Sequence, residues 1–271
     1  MNDTNLNEPA RLEINHISVG YGGMPVLEDV SFHVQHGDRV AIVGPNGAGK
    51  STLFKALVGL LPLNEGEIFI HSLPLGHHLD CVAYVPQRGE VDWKFPATVA
   101  DVVMMGRFGK MGWLAAPRRK DWEVVHTSLK HMGIDSLAGK HIGDLSGGQQ
   151  QRVFLARALA QEPHIFLMDE PFTGVDTITQ EATLNLLDHL QKEMVTVLIS
   201  THDLNLAASR FDNVLLLNHR IYGFGSAEEV FTTERLSQAF GSHILAMENS
   251  SLLVDDCCPP GEELHVHEED R

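Results

Sequence analysis

The residues Gly44-Pro45-Asn46-Gly47-Ala48-Gly49-Lys50-Ser51-Thr52 fit the spacing GxxxxGK[ST]. Such glycines let the backbone wrap closely around an anion with its N–H groups pointing inward. A helix starting at the loop adds the partial positive charge of its N-terminus. Lys50 then reaches the β and γ phosphates of a nucleotide, and Ser51 offers a hydroxyl to Mg²⁺. A pair of acids, Asp169 and Glu170, ends the apolar run Ile165-Phe166-Leu167-Met168. A carboxylate at the end of a buried strand can orient the Mg²⁺ shell, usually through water. The next carboxylate can orient or deprotonate the water that attacks the γ phosphate. A third constellation is Leu145-Ser146-Gly147-Gly148-Gln149, directly before the helical pattern QQQRVFLARALA. A serine and two glycines at a helix start make a second anion site. One chain needs one cradle per nucleotide, so the second is expected to close on a nucleotide held by a partner chain.

These groups need elements that bring them together. Arg11 to Val34 alternates apolar and polar residues and turns at Gly22-Gly23, which predicts two early strands. RVAIVG suits a central strand ending at the glycine-rich loop. The helix after it carries Leu53, Phe54, Leu57, Val58 and Leu61 on one face, with Pro62 as its stop. Glu67–Ile70 and Cys81–Val85 read as strands. From about 90 to 144 the spacing turns helical, with Val99, Val102, Val103 and Gly106 on one face and Trp122, Val125, Leu129 and Met132 on another. A helix at about 147–160, the strand IFLMD, a helix at 179–192 and the strand TVLIS follow. That alternation predicts a mostly parallel sheet covered by helices, an α/β fold.

Composition bounds the function. The chain of 271 residues carries a formal charge of −16. An acidic surface argues against a nucleic-acid face, which needs basic groups to displace counterions, and against direct binding to anionic lipid. Cys81, Cys257 and Cys258 form neither a disulfide framework nor a pair of CxxC motifs. The polar start MNDTNLNEPARLE lacks the apolar core of a signal peptide, and no apolar run is long enough to span a bilayer. The expectation is a cytoplasmic chain without direct membrane insertion, so any membrane part of its process belongs to another protein.

With the motifs in this order, the sequence resembles the ATP-binding subunits of ATP-binding cassette (ABC) transporters over about residues 12–240. The resemblance implies a P-loop NTPase core with an N-terminal antiparallel β lobe and a helical subdomain at about 90–160, the whole domain spanning 11–245. It implies ATP and Mg²⁺ as ligands. Gly44, Pro45, Asn46, Gly47, Ala48, Gly49, Lys50, Ser51 and Thr52 would hold the phosphates. Ser51, Gln87 and Asp169 would serve the Mg²⁺. Tyr21 matches the aromatic that stacks on adenine, and Gln87, in Tyr84-Val85-Pro86-Gln87, the residue that links the site to the membrane partner. Ser146, Gly147, Gly148 and Gln149 match the signature motif, and Thr173–Asp176 the loop that crosses the dimer interface. That loop reads Thr-Gly-Val-Asp where many relatives carry a small residue, Ala and Leu before the Asp. His202, in Ser200-Thr201-His202-Asp203, matches the histidine at the γ phosphate. Lys50, Glu170 and His202 would be the catalytic set.

The implied partners are a second copy of the chain, an integral membrane permease, and an extracytoplasmic metal-binding protein of the same system. VPQRGEVDWKFPATVADVVMMGRFGKMGW is similar to the docking segment of manganese, zinc or iron importers, as is Pro-Phe-Thr-Gly-Val-Asp. Trp93, Phe95, Val99, Met104 and Met105 are candidates for an apolar groove against a partner helix. A siderophore, cobalamin or other cargo is the alternative, and a soluble, non-transport cassette protein a more distant one. Of the 16 histidines, His71, His77, His78, His126, His131 and His141 read as scattered. Residues 246–271 read as an extension whose acidic end is disordered, against the hypothesis that Cys257, Cys258, His265 and His267 hold a transition metal there.

Overall fold

A computed structural model describes residues 12–77, 79–87, 89, 96–111, 115–241, 244–248 and 251–254. Two sheets share the core. The first is antiparallel, in the order β2-β1-β4-β5, from β1 (Leu12–Tyr21), β2 (Met24–Val34), β4 (Glu65–Ile70) and β5 (Leu73–Pro74). The second has the order β10-β9-β3-β8-β7-β6, from β3 (Arg39–Val43), β6 (Val82–Val85), β7 (Ile165–Asp169), β8 (Thr196–Thr201), β9 (Asn213–Asn218) and β10 (Arg220–Gly225). Its pairs are parallel except β9 with β10. The antiparallel N-terminal sheet and the mostly parallel central one match the expected α/β class.

The central strands are buried on both faces, and their period of two divides them between two cores. Ala41, Val43, Phe166, Met168, Val197 and Ile199 face one cluster, which the helices of the chain's middle cover. Val40, Ile42, Ile165, Leu167 and Leu198 face the other, closed by α1 (Lys50–Leu57) and the antiparallel sheet. Each fully buried large side chain contributes about 1.5–3 kcal/mol. This two-sided packing holds the carboxyl ends of β3, β7 and β8 in a fixed relation, and the functional residues follow those ends.

The helical segment consists of α2 (Val99–Met105), α3 (Phe108–Met111) and α4 (Arg119–His131), followed by α5 (Gly147–Ala160). Thr98 and Asp101 form a capping box that starts α2. Two expectations about this segment need correction. Trp122 is 47% exposed, and it is Asp121 on α4 that is buried, because its carboxylate pairs with the buried Arg107 at 3.3 Å. Val99 and Met104 lie in the core and cannot line a groove, while Trp93 and Phe95 fall outside the described residues. A third correction concerns α1, which ends at Leu57, well before Pro62. Gly59 takes a φ of +71°, and the amides of Leu60 and Gly59 donate to the carbonyls of Lys55 and Ala56 at 2.8 and 3.0 Å. A left-handed glycine satisfying the last carbonyls in this way stops the helix by itself.

After α6 (Thr177–Lys192) and α7 (Leu204–Arg210) come α8 (Ala227–Val230), α9 (Thr233–Phe240) and the hairpin of β11 (Ile244–Glu248) with β12 (Ser251–Val254). The helix expected from residue 179 starts two residues earlier because Asp176 caps it, accepting the Thr179 amide at 2.8 Å. The expected acidic tail and its Cys257, Cys258, His265 and His267 lie outside the described residues, as does His78. Among the described residues no helix is long and apolar enough to cross a membrane.

Candidate functional site

A cavity of about 580 Å³ opens at the carboxyl edge of the central sheet. Asn46 through Thr52 line it, with Val26, Gln87, Glu170, Thr173 and His202. The loop after β3 supplies the first group and α1 rises from it with no side chain capping its first amides, which leaves those N–H groups to an anion. The Lys50 ammonium donates to the loop carbonyls of Gly44 and Pro45 at 2.7 and 3.1 Å. It stands 3.8 Å from the Glu170 carboxylate. A buried cation held by two carbonyls and one carboxylate is poised to exchange some of these partners for phosphate oxygens.

Glu170 departs from the strand that carries it. Its φ is +47°, in the left-handed region that a non-glycine residue enters at a cost of about 1–3 kcal/mol. Its amide donates to the Ser200 hydroxyl at 2.8 Å, and that hydroxyl donates to Asp169 at 2.5 Å. One serine at the end of β8 therefore fixes two consecutive acids at the end of β7. The reversed backbone brings the Glu170 carboxylate to the cavity, where Gln87 Nε2 donates to it at 3.4 Å and Thr173 Oγ1 at 3.2 Å. Sequence reading missed Ser200, and gave Thr173 only as the start of the interface loop without its contact to Glu170. Ser200 had a signal in its place opposite Asp169 in the strand register, but that register is not visible before the sheet order is known.

The expected residues divide into three groups. Asn46 to Thr52, Gln87, Glu170 and His202 meet in one cavity. Gly44 and Pro45 serve it through their carbonyls. Asp169, 1% exposed, does not line it and is held by Ser200. The hydroxyl of Ser51, the amide of Gln87 and the carboxylate of Asp169 are hard oxygen donors, the set that suits Mg²⁺. Tyr21 lies outside the cavity lining, exposed at the end of β1.

Ser146, Gly147, Gly148 and Gln149 form the third group, away from the cavity lining. Ser146 caps α5, and its amide donates to Gln149 Oε1 at 3.0 Å in a capping box. Gly148 packs against the cap of α6: a methyl group there would sit 2.3 Å from Asp176 Oδ2. The signature segment and the Thr173–Asp176 loop are thus one packed unit, and Thr173 at the start of that loop touches Glu170. A second cavity, about 610 Å³ and lined by Lys120, Glu123, His131, His189 and Leu190 among others, has no phosphate-cradling loop and is no candidate for the nucleotide.

The family profile described as ABC transporter matches residues 27–173. The manganese transport system ATP-binding protein MntB of Bacillus subtilis is 45% identical over 241 residues, covering 89% of this chain and 96% of that protein. The zinc transport system ATP-binding protein TroB of Treponema pallidum is 45% identical, covering 86% of this chain and 88% of that protein. Among solved structures, an inward-facing metal-chelate type ABC transporter is 29% identical with a TM-score of 0.75, covering 90% of this chain and 95% of that one. A dimeric post-hydrolysis state of the ATP-binding cassette MJ0796 bound to ADP and Pi is 27% identical with a TM-score of 0.70, covering 80% and 98%.

Proposed function

The chain belongs to the ABC transporter family, and from that premise we propose that it is the ATP-hydrolysing subunit of a transition-metal importer, for manganese, zinc or iron. The observation that carries the reading is the split between its two anion-binding segments. Lys50, Gln87, Glu170 and His202 share one cavity, and Ser146–Gln149 stand outside it. One chain therefore offers a phosphate cradle and, elsewhere, a helix start able to cover the cradle of another copy. Two copies bind two ATP molecules between them.

Within one site, the loop amides and Lys50 hold the phosphates. Ser51, Gln87 and Asp169 would hold Mg²⁺, which supplies charge neutralisation of the phosphate oxygens. Glu170 accepts a hydrogen bond from the attacking water and takes its proton as the bond to the γ phosphorus forms. Thr173 and Gln87 keep its carboxylate in place. His202 lines the same cavity, from where its imidazole would contact the γ phosphate. The phosphoryl group leaves ADP as phosphate, and the pair of chains is free to part.

Closing and parting move the helices of an integral permease, on whose cytoplasmic face the pair sits. An extracytoplasmic metal-binding protein delivers the cargo. The metal identity is supported by the likeness to the manganese and zinc transport system ATP-binding proteins. Elemental analysis of cells with and without the chain, under metal limitation, tests it. A selective fall in one of the three metals, restored by the wild-type chain and not by Lys50→Ala, is the expected result. No fall in any of them would move the cargo to an organic or chelated one.

A further inference from the structure

Away from the nucleotide cavity, three side chains able to ligate a metal converge at the opposite end of the central sheet. Cys81 immediately precedes β6 and His164 immediately precedes β7. These strands pair in parallel with Val82 opposite Ile165, so the two residues are neighbours across the ladder. The His164 amide donates to the Cys81 carbonyl at 2.8 Å and closes that end of the pair. His71 arrives from the turn after β4, with a left-handed backbone at φ +53°. One ligand atom from each of His71, Cys81 and His164 lies within 4.8 Å of the others. The rings of His71 and His164 stand nearly perpendicular, 82° apart, and His71 Nε2 is 3.0 Å from His164 Nδ1.

We propose that His71, Cys81 and His164 bind one thiophilic divalent metal ion of the zinc type. Ligand bonds of about 2.0–2.1 Å from nitrogen and 2.3 Å from sulfur in a tetrahedron place ligand atoms about 3.4–3.6 Å apart. The His–His separation of 3.0 Å needs to open by about 0.4 Å, and the other separations, each within 4.8 Å, need to change by no more than about 1.2 Å, within the reach of side-chain rotation. At 3.0 Å the two imidazoles are within hydrogen-bond distance, one ring donating and the other accepting. The three residues line a cavity of about 250 Å³ together with Asp80, Lys110 and Glu162. That leaves a fourth position open to water or to a carboxylate. The Lys110 ammonium, the one cation among the described residues that line the cavity, is held by the Glu162 carboxylate at 3.2 Å.

The donor set decides the class of ion. Two imidazoles and a thiolate suit zinc, and manganese prefers carboxylate and water oxygens. The site stands independently of which metal the transporter carries. Its position gives it two direct lines to the nucleotide. β6 leads from Cys81 toward Gln87, and β7 leads from His164 to Asp169 and Glu170. An ion here would lock the starts of the two strands whose ends carry catalytic groups.

Cobalt titration of the full chain tests the site, because a cobalt–thiolate bond gives a charge-transfer absorption that water or imidazole ligands do not. The wild-type chain and the double variant Cys257→Ser, Cys258→Ser should both show the band, at one equivalent, and lose it on adding Zn²⁺. Cys81→Ser should abolish it. His71→Ala and His164→Ala change side chains outside the core and keep the test valid if the buried cysteine variant misfolds. Each should weaken Zn²⁺ binding at least about 100-fold in competition with a chromophoric chelator. No band in the wild-type chain would overturn the proposal. So would a band that survives in Cys81→Ser but vanishes in the double variant, or unchanged Zn²⁺ affinity in both histidine variants.

Discussion

Glu170 is held in a left-handed backbone by its amide bond to Ser200 and by donors from Thr173 and Gln87. That strain makes sense only if the carboxylate's position matters more than the backbone's comfort. Glu170→Gln keeps the shape and removes the proton acceptor. Phosphate release should fall by about 10²–10⁴ while ATP binding persists, and size-exclusion chromatography should find the ATP-bound pair trapped. Full activity in this variant would remove Glu170 from the mechanism. Ser200→Ala takes away the hydroxyl that serves both acids. We expect a loss of about 1–3 kcal/mol in denaturant titration, from two hydrogen bonds removed at buried groups, and ATPase activity lower by about tenfold. The glycine-rich loop and the acid pair were legible from sequence because their spacing is local. Ser200 was not, since its partners come from a neighbouring strand. The same reason hid the cluster of His71, Cys81 and His164. Three residues from separate segments meet only once β6 and β7 are paired, so reading the histidines as scattered was wrong for His71.

The strands and helices were the most readable part of the chain. Alternation in β1 and β2 and the apolar runs of β3, β7 and β8 left little choice, because a strand buried on both faces can be little else over five or six residues. Errors clustered at ends and faces. Gly59 stopped α1 before Pro62, and the Arg107–Asp121 pair turned Trp122 outward. Both effects depend on hydrogen bonds that a hydrophobic pattern does not encode. A similar bond ties β3 to the segment entering β9. Arg39 donates to Asp212 from Nε and Nη2 at 3.1 and 2.8 Å, and this holds the Asp212 carboxyl below its ordinary 3.8. A carboxylate depressed in the folded state stabilises it above the ordinary value, and that contribution is lost as pH falls through the folded one. The pair is partly solvated, so its worth is about 1 kcal/mol. Asp212→Asn should lower the melting temperature at pH 7, and the gap from wild type should shrink as pH falls below about 4. A gap constant from pH 7 to pH 3 would contradict the ion-pair account.

At the scale of the whole molecule, the chain looks like half of a machine. Its cradle and its signature segment are each well built, yet they do not meet. Gly148 packs on the Asp176 cap and Thr173 touches Glu170, so in the proposed pair the signature segment of one site would be connected through these contacts to Glu170 of the other. This organisation was readable from sequence only as a surplus cradle. Which surface meets the permease was not, since the apolar residues proposed for it are partly core and partly outside the described residues. The most direct measurement of the central claim is ATPase activity in a mixture of two inactive variants, Lys50→Ala and Ser146→Arg. Random pairing makes half of the dimers mixed, and each mixed dimer holds one intact cradle facing one intact signature, so activity should return to about a quarter of wild type. A mixture no more active than its parents would mean that the two segments do not complete a shared site, and the account of a nucleotide held between two copies would fail.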